Sequence, residues 1–534
     1  MNLDVEATSI SVVAVSEAAG RGRRRVARNA TLSMLSSIVM VAAALAASVI
    51  AARYLGAMAF GLYSLVQWTR VTAAMVLDIG LATAVTKYVS EFEGSGERSQ
   101  ASRLTLNLLV TQVAIALPAG LLLALFSSAF ADFLGREEVA AYLPVAAISL
   151  VLGMTNNILM ARLAGLQRFD VAALLSLATA CLTLVGVGAV IFAALGIFGL
   201  LWVEIMVACL QLVVLCTFLI RSGSFRPTTR VTRLKVGELA KFCLGVFVIT
   251  SFDVIVWQRS ETYFLGRYRS PEEIGFYGMA FNFSTILLGT LPAAFGRVLL
   301  PALSERFGTG DHNSLQNLYG AATRYIAAVT FPLCAGGIAV SSLLMAVLFP
   351  PEFSPAADVM KILLVGGAIG AIAGPGSALL IALGKTMIPA YWGLPLALAN
   401  VLLAFWLVPP LGALGAAVAS TITQVAGVLV GTSYLIFVQH FRFPVAPLSR
   451  MIVAAVPVGV IAFLISSFWQ GIFGLVVAGL MGVLVYVPAL IATRALVPAD
   501  FDLLEDLTGV FPGGFRRILR RAIAHVKRIA FRAV

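Results

Sequence analysis

The residues of this sequence that can do chemistry are ionisable side chains standing inside long apolar runs. In the run 60–84 they are Arg70 and Asp78, with the amide of Gln67 just before Arg70. In the run 242–265 they are Asp253, Arg259 and Glu261. A charge in hydrocarbon is costly, so such a residue faces a cavity, a partner or a ligand. Arg70 lies about 15 Å into its run at 1.5 Å per residue, which is mid-membrane depth. Arg70, Ala74 and Asp78 share one helical stripe, as do Asp253, Trp257 and Glu261, with Arg259 turned away from them. Lys87 closes its run, Arg297 lies near the inner end of 275–299 and Arg324 at the start of 320–349, all at one level, where they are expected to ring an inner mouth. Arginine there suits an anionic ligand, because its planar fork meets phosphate oxygens bidentately. Asp253 and Glu261 are the candidate carriers of a proton or sodium ion. The set describes binding and ion coupling, and no catalytic, cofactor or metal site is expected.

Each of these readings has a plainer alternative. Lys87, Arg297 and Arg324 also fit snorkelling to the membrane interface. Arg70 and Asp78 also fit a pair that satisfies only itself. Glu261 lies one turn from the outer end of its run, where water would reach it. Cys181, Cys209, Cys216, Cys243 and Cys334 fall inside apolar runs without CxxC spacing and read as buried thiols. His312, His440 and His525 are scattered through loops and tail, which argues against a metal site. Gly384, Lys385 and Thr386 look like the end of a phosphate-binding loop, but Leu379 stands where that motif needs its first glycine. Gly366, Gly370 and Gly374 form a small-residue ladder before Pro375, the pattern of close helix packing, with a bend at Pro375 as the second reading.

The elements that must position these residues are membrane spans. Hydrophobic residues make up 60% of the 534 and charged residues 12%, against about 25% charged in ordinary soluble domains. The excess falls in runs of about twenty apolar residues, the length that crosses a bilayer as a helix. An all-α polytopic membrane protein is therefore expected. The spans are placed at 30–52, 60–84, 104–131, 143–165, 171–194, 199–220, 242–265, 275–299, 320–349, 358–382, 387–408, 412–438, 451–469 and 472–496, fourteen in all. Basic residues collect in alternate loops. One side has Arg98, Arg103, Arg162, Arg168, the linker 221–241, Arg306, Lys385, Arg442 and Arg450; the other has only Arg53, Arg136, Arg267 and Arg269. The positive-inside rule makes the richer side cytoplasmic, and an even number of spans puts both termini there. The net charge of +12 then points to anionic lipid at the inner surface and not to nucleic acid.

The two ends extend this picture. The segment 1–28 carries Arg21, Arg23, Arg24, Arg25 and Arg28 ahead of a first run that is too long for a cleaved signal, so an uncleaved first span is expected. In the tail 497–534, Phe515, Ile518, Leu519, Ile523, Val526 and Ile529 roughly follow helical spacing among arginines. An amphipathic helix on the inner leaflet is the expected structure, with a solvated basic tail as the alternative.

The spans repeat. Arg53, Tyr54, Gly61, Tyr63, Ser90 and Glu91 recur as Arg267, Tyr268, Gly275, Tyr277, Ser304 and Glu305, always 214 positions later. Gly196 and Gly199 recur as Gly412 and Gly415 at a spacing of 216. One offset held over forty residues reads as an internal duplication. Six spans precede the linker, so the copies enter the membrane in the same direction. That predicts an N-lobe over 29–220, a C-lobe over 242–438 and two helices outside the symmetry at 451–496. The charges are not duplicated. Arg70, Asp78 and Lys87 correspond to Ser284, Pro292 and Pro301; Asp253, Glu261 and Arg297 correspond to Val39, Ala47 and Thr83. The charges thus serve a ligand or its coupling rather than the scaffold.

The stretches RYLGAMAFGLYSLV at 53–66 and LDIGLATAVTKYVSE at 77–91 resemble the oligosaccharide flippases of bacterial polysaccharide synthesis. These include the O-antigen transporters, in the superfamily that also holds multidrug and toxin extruders and lipid II flippases. The likeness is strongest over 29–91 and 242–305, and the fourteen-span layout extends it to about 496. The resemblance implies two six-helix lobes in a V around a central cavity, no catalytic centre, and a plasma-membrane location. It also implies movement of polyprenyl-pyrophosphate-linked glycan from the inner to the outer leaflet, between glycosyltransferases and a glycan polymerase. Many relatives have an aspartate near the end of span 7, where this chain has Glu261. Three other classes compete. A multidrug or cation antiporter of the same fold would want carboxylates dominating its cavity, whereas basic side chains suit an anionic substrate. A membrane glycan polymerase or ligase would want a large outer loop, and the longest here is 132–142. A non-transporting scaffold gives no reason for mid-membrane Arg70 and Asp253.

Overall fold

The apolar runs are helices in the structure, a computed structural model. It describes residues 3–222, 236–257, 259–308, 310–385 and 388–495, with side chains from Val39 onward except Val236, Ile249, 252–257, Leu291, Ala293, Ala294, Arg297, Val298, Pro301 and Ala390. No strand occurs among the described residues. Sixteen α-helices follow in order: α1 Leu3–Leu77, α2 Leu81–Gly94, α3 Arg98–Leu125, α4 Ser127–Leu134, α5 Leu143–Gly165, α6 Phe169–Phe192, α7 Gly196–Arg221, α8 Val236–Trp257, α9 Glu261–Tyr268, α10 Pro271–Gly308, α11 His312–Leu348, α12 Ala356–Ala382, α13 Ile388–Leu411, α14 Ala413–Phe437, α15 Val445–Phe468 and α16 Gly471–Ala492. Among the described residues, eleven helical stretches are long and apolar enough to cross a membrane. One of them, Val39–Leu77, contains Gly56 at φ 73° and ψ 176°, which divides it between the first two runs of the sequence. The number fourteen rests on the sequence alone. The tail 497–534, most of the linker 221–241 and the side chains of 1–28 lie outside the described residues.

Two spans expected to be continuous are interrupted. Within 60–84, α1 ends at Leu77 and α2 begins at Leu81, with Ile79 at φ 48° and Gly80 at φ 75° between them. A Cβ on Gly80 would lie 2.8 Å from Val246 Cβ, so the break is packed against α8 with no room for a larger residue. Within 242–265, α8 ends at Trp257 and α9 begins at Glu261, with Arg259 at φ 61°. The stripe drawn through Asp253, Trp257 and Glu261 therefore does not hold, because the helical register is lost before Glu261. Broken helices are tolerated at membrane depth only where protein or a cavity surrounds the freed backbone groups. Neither break is duplicated: the equivalents 292–294 and 44–46 lie within continuous helix.

The chain forms two compact units. The first comprises Met1–Leu55, Val66–Asp132 and Glu137–Thr250; the second comprises Gly56–Leu65, Phe133–Arg136 and Ser251–Val534. In the first, α5 packs against α2, α3 and α7, and α6 against α7. In the second, α12 is central, lying against α10, α11 and α14, and α15 and α16 pack against α11. Gly366 is the member of the glycine ladder that brings α12 onto α14: its Cβ would sit 2.8 Å from Thr421 Oγ1. Gly370 lines a cavity instead, and Gly374 meets open space.

The two repeats each tie their opening to a glycine-containing turn, but with different residues. In the first unit the Gly196 N–H donates to the Tyr54 hydroxyl at 3.1 Å. In the second the Ala413 N–H donates to Glu273 at 2.7 Å, and Arg269 reaches the Pro409 carbonyl at 3.4 Å. Each bond ties the opening of a repeat to its own glycine-containing turn. The repeated glycines Gly61 and Gly275 mark a near contact of backbones: a Cβ on Gly61 would fall 1.7 Å from the Pro271 carbonyl oxygen, and one on Gly275 would fall 3.2 Å from that of Ala57.

Candidate functional site

In the first unit a cavity of about 360 Å³ opens between α1, α5, α6 and α7, and Arg70 reaches into it. Arg70 Nε donates to Gln67 Oε1 at 3.0 Å and lies 3.7 Å from the Glu204 carboxylate, both charged side chains being 24% exposed. The Gln67 amide donates in turn to Glu204. Arg70 is therefore not paired with Asp78: its counter-charge comes from α7, and Asp78 receives a bond from Asn157 Nδ2 at 3.4 Å. Asn156 donates to the Ala208 carbonyl at 2.9 Å, and its Oδ1 is buried with no hydrogen-bond partner. Ser149, Thr183 and Gln211 complete a wall of hydroxyls and amides around one balanced ion pair. Such a surface suits a polyhydroxylated ligand, with Arg70 able to exchange a carboxylate for a phosphate oxygen.

Glu204, Asn156 and Asn157 are polar residues inside apolar runs, so the criterion that singles out Arg70 applies to them equally. Spacing along one helix does not find them, because they act across helices. Arg162, read from the sequence as a loop cation, is 1% exposed in the last turn of α5. It donates to Thr105 Oγ1 at 3.0 Å and Ser102 Oγ at 3.3 Å, so it braces α5 against α3.

In the second unit Glu261 is 1% exposed, so it is not the hydrated end-of-span carboxylate that its position allowed. Its Oε1 accepts from Asn400 Nδ2 at 2.8 Å and its Oε2 from the Tyr277 hydroxyl at 2.9 Å. The Ser260 hydroxyl donates to Asn400 Oδ1 at 2.8 Å, and Asn400 also reaches Thr423 Oγ1 at 3.4 Å. Every direct partner of this carboxylate is thus neutral, and no ion pair to it is present among the described residues. Arg259, set in the break before α9, places its guanidinium 5.3 Å from the centre of the Phe281 ring. The direct bonds to this carboxylate come from neutral donors, and the Arg259 guanidinium acts on it as a charge without bonding it, an arrangement open to a proton or small cation.

The inner-mouth cations are not brought together by anything described. Lys87 stands on α2 in the first unit, its ammonium 4.6 Å and 4.4 Å from the Tyr88 and Phe242 ring centres. Arg324 stands half-buried on α11 in the second unit. The side chains of Arg297 and Asp253 lie outside those described.

A family model described as "Polysaccharide biosynthesis protein" matches residues 50–358, more than half of the chain. The teichuronic acid biosynthesis protein TuaB of Bacillus subtilis (strain 168) is 23% identical over 128 residues, a match covering 24% of this chain and 26% of that protein. Among solved structures, the lipid II flippase MurJ in an inward closed conformation superposes with a TM-score of 0.68 at 17% identity, over 86% of this chain and 98% of that one. An inward-facing multidrug resistance MATE family transporter of the MOP superfamily gives 0.62 at 14% identity, over 76% and 97%. A MOP superfamily transporter from Pyrococcus furiosus gives 0.55 at 16% identity, over 77% and 94%. At these identities the structural likeness is one of fold: this is an all-helical multi-pass membrane protein built as MurJ and the MATE transporters are.

Proposed function

The chain belongs to the polysaccharide biosynthesis protein family, and from that premise we propose that it is a flippase for polyprenyl-pyrophosphate-linked oligosaccharide. It carries this lipid from the inner to the outer leaflet of the bacterial plasma membrane by alternating access of its two repeats, and no covalent bond is made or broken. Both termini and the linker 221–241 are cytoplasmic, with their basic residues on anionic lipid. Glycosyltransferases supply the lipid-linked glycan, and a glycan polymerase consumes it. Lys87, Arg297 and Arg324 receive the pyrophosphate at the inner mouth. Arg70 takes it deeper, phosphate oxygens replacing Glu204, while Gln67 and the neighbouring amides hold sugar hydroxyls. Glu261, with Asp253 and Asp78, carries or balances the driving proton or sodium ion, and Arg259 stands beside that path.

The observation that carries this reading is the paired Arg70–Glu204 set in an amide-lined cavity. An anion that takes over Arg70 releases the Glu204 carboxylate, which keeps its bond from the Gln67 amide and is 24% exposed, so it is not left bare in the interior. The test is transport of fluorescent polyprenyl-pyrophosphate oligosaccharide in proteoliposomes. Arg70→Ala is expected to abolish flipping, Arg70→Lys to restore part of it, and Glu204→Gln to slow it by roughly tenfold or more, about 1.4 kcal/mol. Wild-type rates in both Arg70→Ala and Glu204→Gln would sink the assignment of the cavity. Absence of flipping by the wild type would sink the function.

A further inference from the structure

Neither the cavity of the first unit nor the Glu261 network uses the arginines of the sparsely basic loops. Four arginines lie in the loops that the charge asymmetry puts outside, and three of them (Arg136, Arg267 and Arg269) line one open pocket of about 420 Å³ in the second unit. Arg269 is satisfied there: its Nε and Nη2 each lie 2.8 Å from Glu273 Oε1. Arg136 and Arg267 are not. Among the described residues neither side chain makes a hydrogen bond or ion pair, and Arg136 Nε is buried without a partner. Asp132, Glu137 and Glu138 flank Arg136 in sequence, but all three are exposed and none pairs with it.

The backbone brings these two residues to one pocket. Gly135 has φ +76°, and a Cβ on it would lie 2.7 Å from Arg267 Cα. A Cβ on Gly266 would lie 2.8 Å from the Leu134 carbonyl oxygen, and the Phe133 and Tyr263 rings stack with centres 4.9 Å apart. The segment Phe133–Arg136 is thus clamped onto the end of α9 by contacts that admit no side chain at the two glycines. Arg136 is half-buried and Arg267 exposed at the mouth of this pocket, and with Glu273 engaged by Arg269 the two remaining positive charges favour an anion there.

We propose that this pocket is an anion site for a pyrophosphate head group at the outer face, occupied by the lipid-linked substrate after it has crossed. Two uncompensated guanidinium groups match two phosphates carrying one charge each, and each fork can meet its phosphate bidentately. The inference rests on the flippase reading and on the topology stated with it. The same chemistry admits the phosphate of an ordinary anionic lipid or free pyrophosphate, and the experiment separates the three.

Ser270, exposed on the pocket wall, is replaced by cysteine in the full-length chain, and its reaction with a membrane-impermeant maleimide is followed. In intact cells the S270C thiol is labelled from outside; labelling only after permeabilisation would overturn the outer placement. In nanodiscs of phosphatidylcholine, polyprenyl pyrophosphate is expected to slow labelling at least fivefold, with free inorganic pyrophosphate weaker and phosphatidylglycerol weakest. Arg136→Gln and Arg267→Gln should each raise the half-protecting concentration roughly tenfold, and Arg→Lys changes less, since the point charge survives without the fork. Equal protection in the Arg136→Gln/Arg267→Gln chain, shown intact by unchanged elution and melting, would overturn the site. Equal protection by phosphatidylglycerol would overturn its assignment to a pyrophosphate. Arginine-dependent protection without any glycan flipping would sink the flippase reading and leave the pocket standing, whereas flipping without such protection would sink the pocket alone.

Discussion

Glu261 shows how a single side chain acquires a role from its neighbours. By sequence it is one more carboxylate near the end of an apolar run; in the structure it is sealed in, with Asn400 and Tyr277 each donating to one of its oxygens. The two substitutions that remove its charge should then differ. Glu261→Gln keeps a side chain able to bond Asn400, so the protein should melt within a few degrees of wild type while losing its response to an imposed proton or sodium gradient. Glu261→Ala takes the carboxylate acceptor away from the Asn400 amide and the Tyr277 hydroxyl, at about 1–3 kcal/mol for a stranded buried donor, and should melt well below both. Thermal melts of the purified chains, read beside flipping with and without a gradient, check both expectations. Equal melting of the Gln and Ala chains would mean that the network contributes nothing to stability. Unchanged gradient response in Glu261→Gln would remove Glu261 from the coupling role.

Among the elements, the interruptions matter more than the helices. The breaks at 78–80 and at 259–260 fall beside Asp78, Arg259 and Glu261, so ionisable side chains and freed backbone groups occur together. Neither position is visible as a break in the hydropathy, because LDIGLAT and WQRSETY are short polar interludes in otherwise apolar runs. Gly80 is the residue on which the first break depends. Gly80→Ala meets both left-handed strain, about 1–3 kcal/mol, and the Val246 side chain at 2.8 Å. Gly96→Ala, at φ +80° with nothing within 4 Å, meets only the strain. The expected order of melting temperature is wild type, then Gly96→Ala, then Gly80→Ala; coincidence of the two glycine variants would show that contact with α8 is not what holds the break.

For the whole molecule the expectation concerns sidedness. Single cysteines at Ser222 and at the C-terminus should resist impermeant thiol reagents in intact cells and react after permeabilisation. Labelling of either position from outside would overturn the topology and, with it, the direction of transport. The native thiols at Cys181 and Cys209 are exposed on helices that belong to the apolar runs, so the assay is read against the unsubstituted chain.

The membrane class, the approximate helix positions, the internal repeat and the family were legible in the sequence, because each is a sum or a spacing taken along the chain. Runs of apolar residues need no partner to be recognised, and the 214-residue offset is visible without a contact. Arg70 and Glu261 were legible as functional candidates for the same reason: a charge is conspicuous against its own segment. What each of them touches was decided only by tertiary structure. The carboxylate that balances Arg70 comes from 134 positions away at Glu204, and the amide that holds Glu261 comes from 139 positions away at Asn400. Arg136 and Arg267 come to line one pocket through two glycine contacts that no local pattern announces. Hydrophobicity is additive and local, so one dimension carries it. Charge compensation depends on how far each helix is turned and how closely it packs, and those follow only when all the helices are in place.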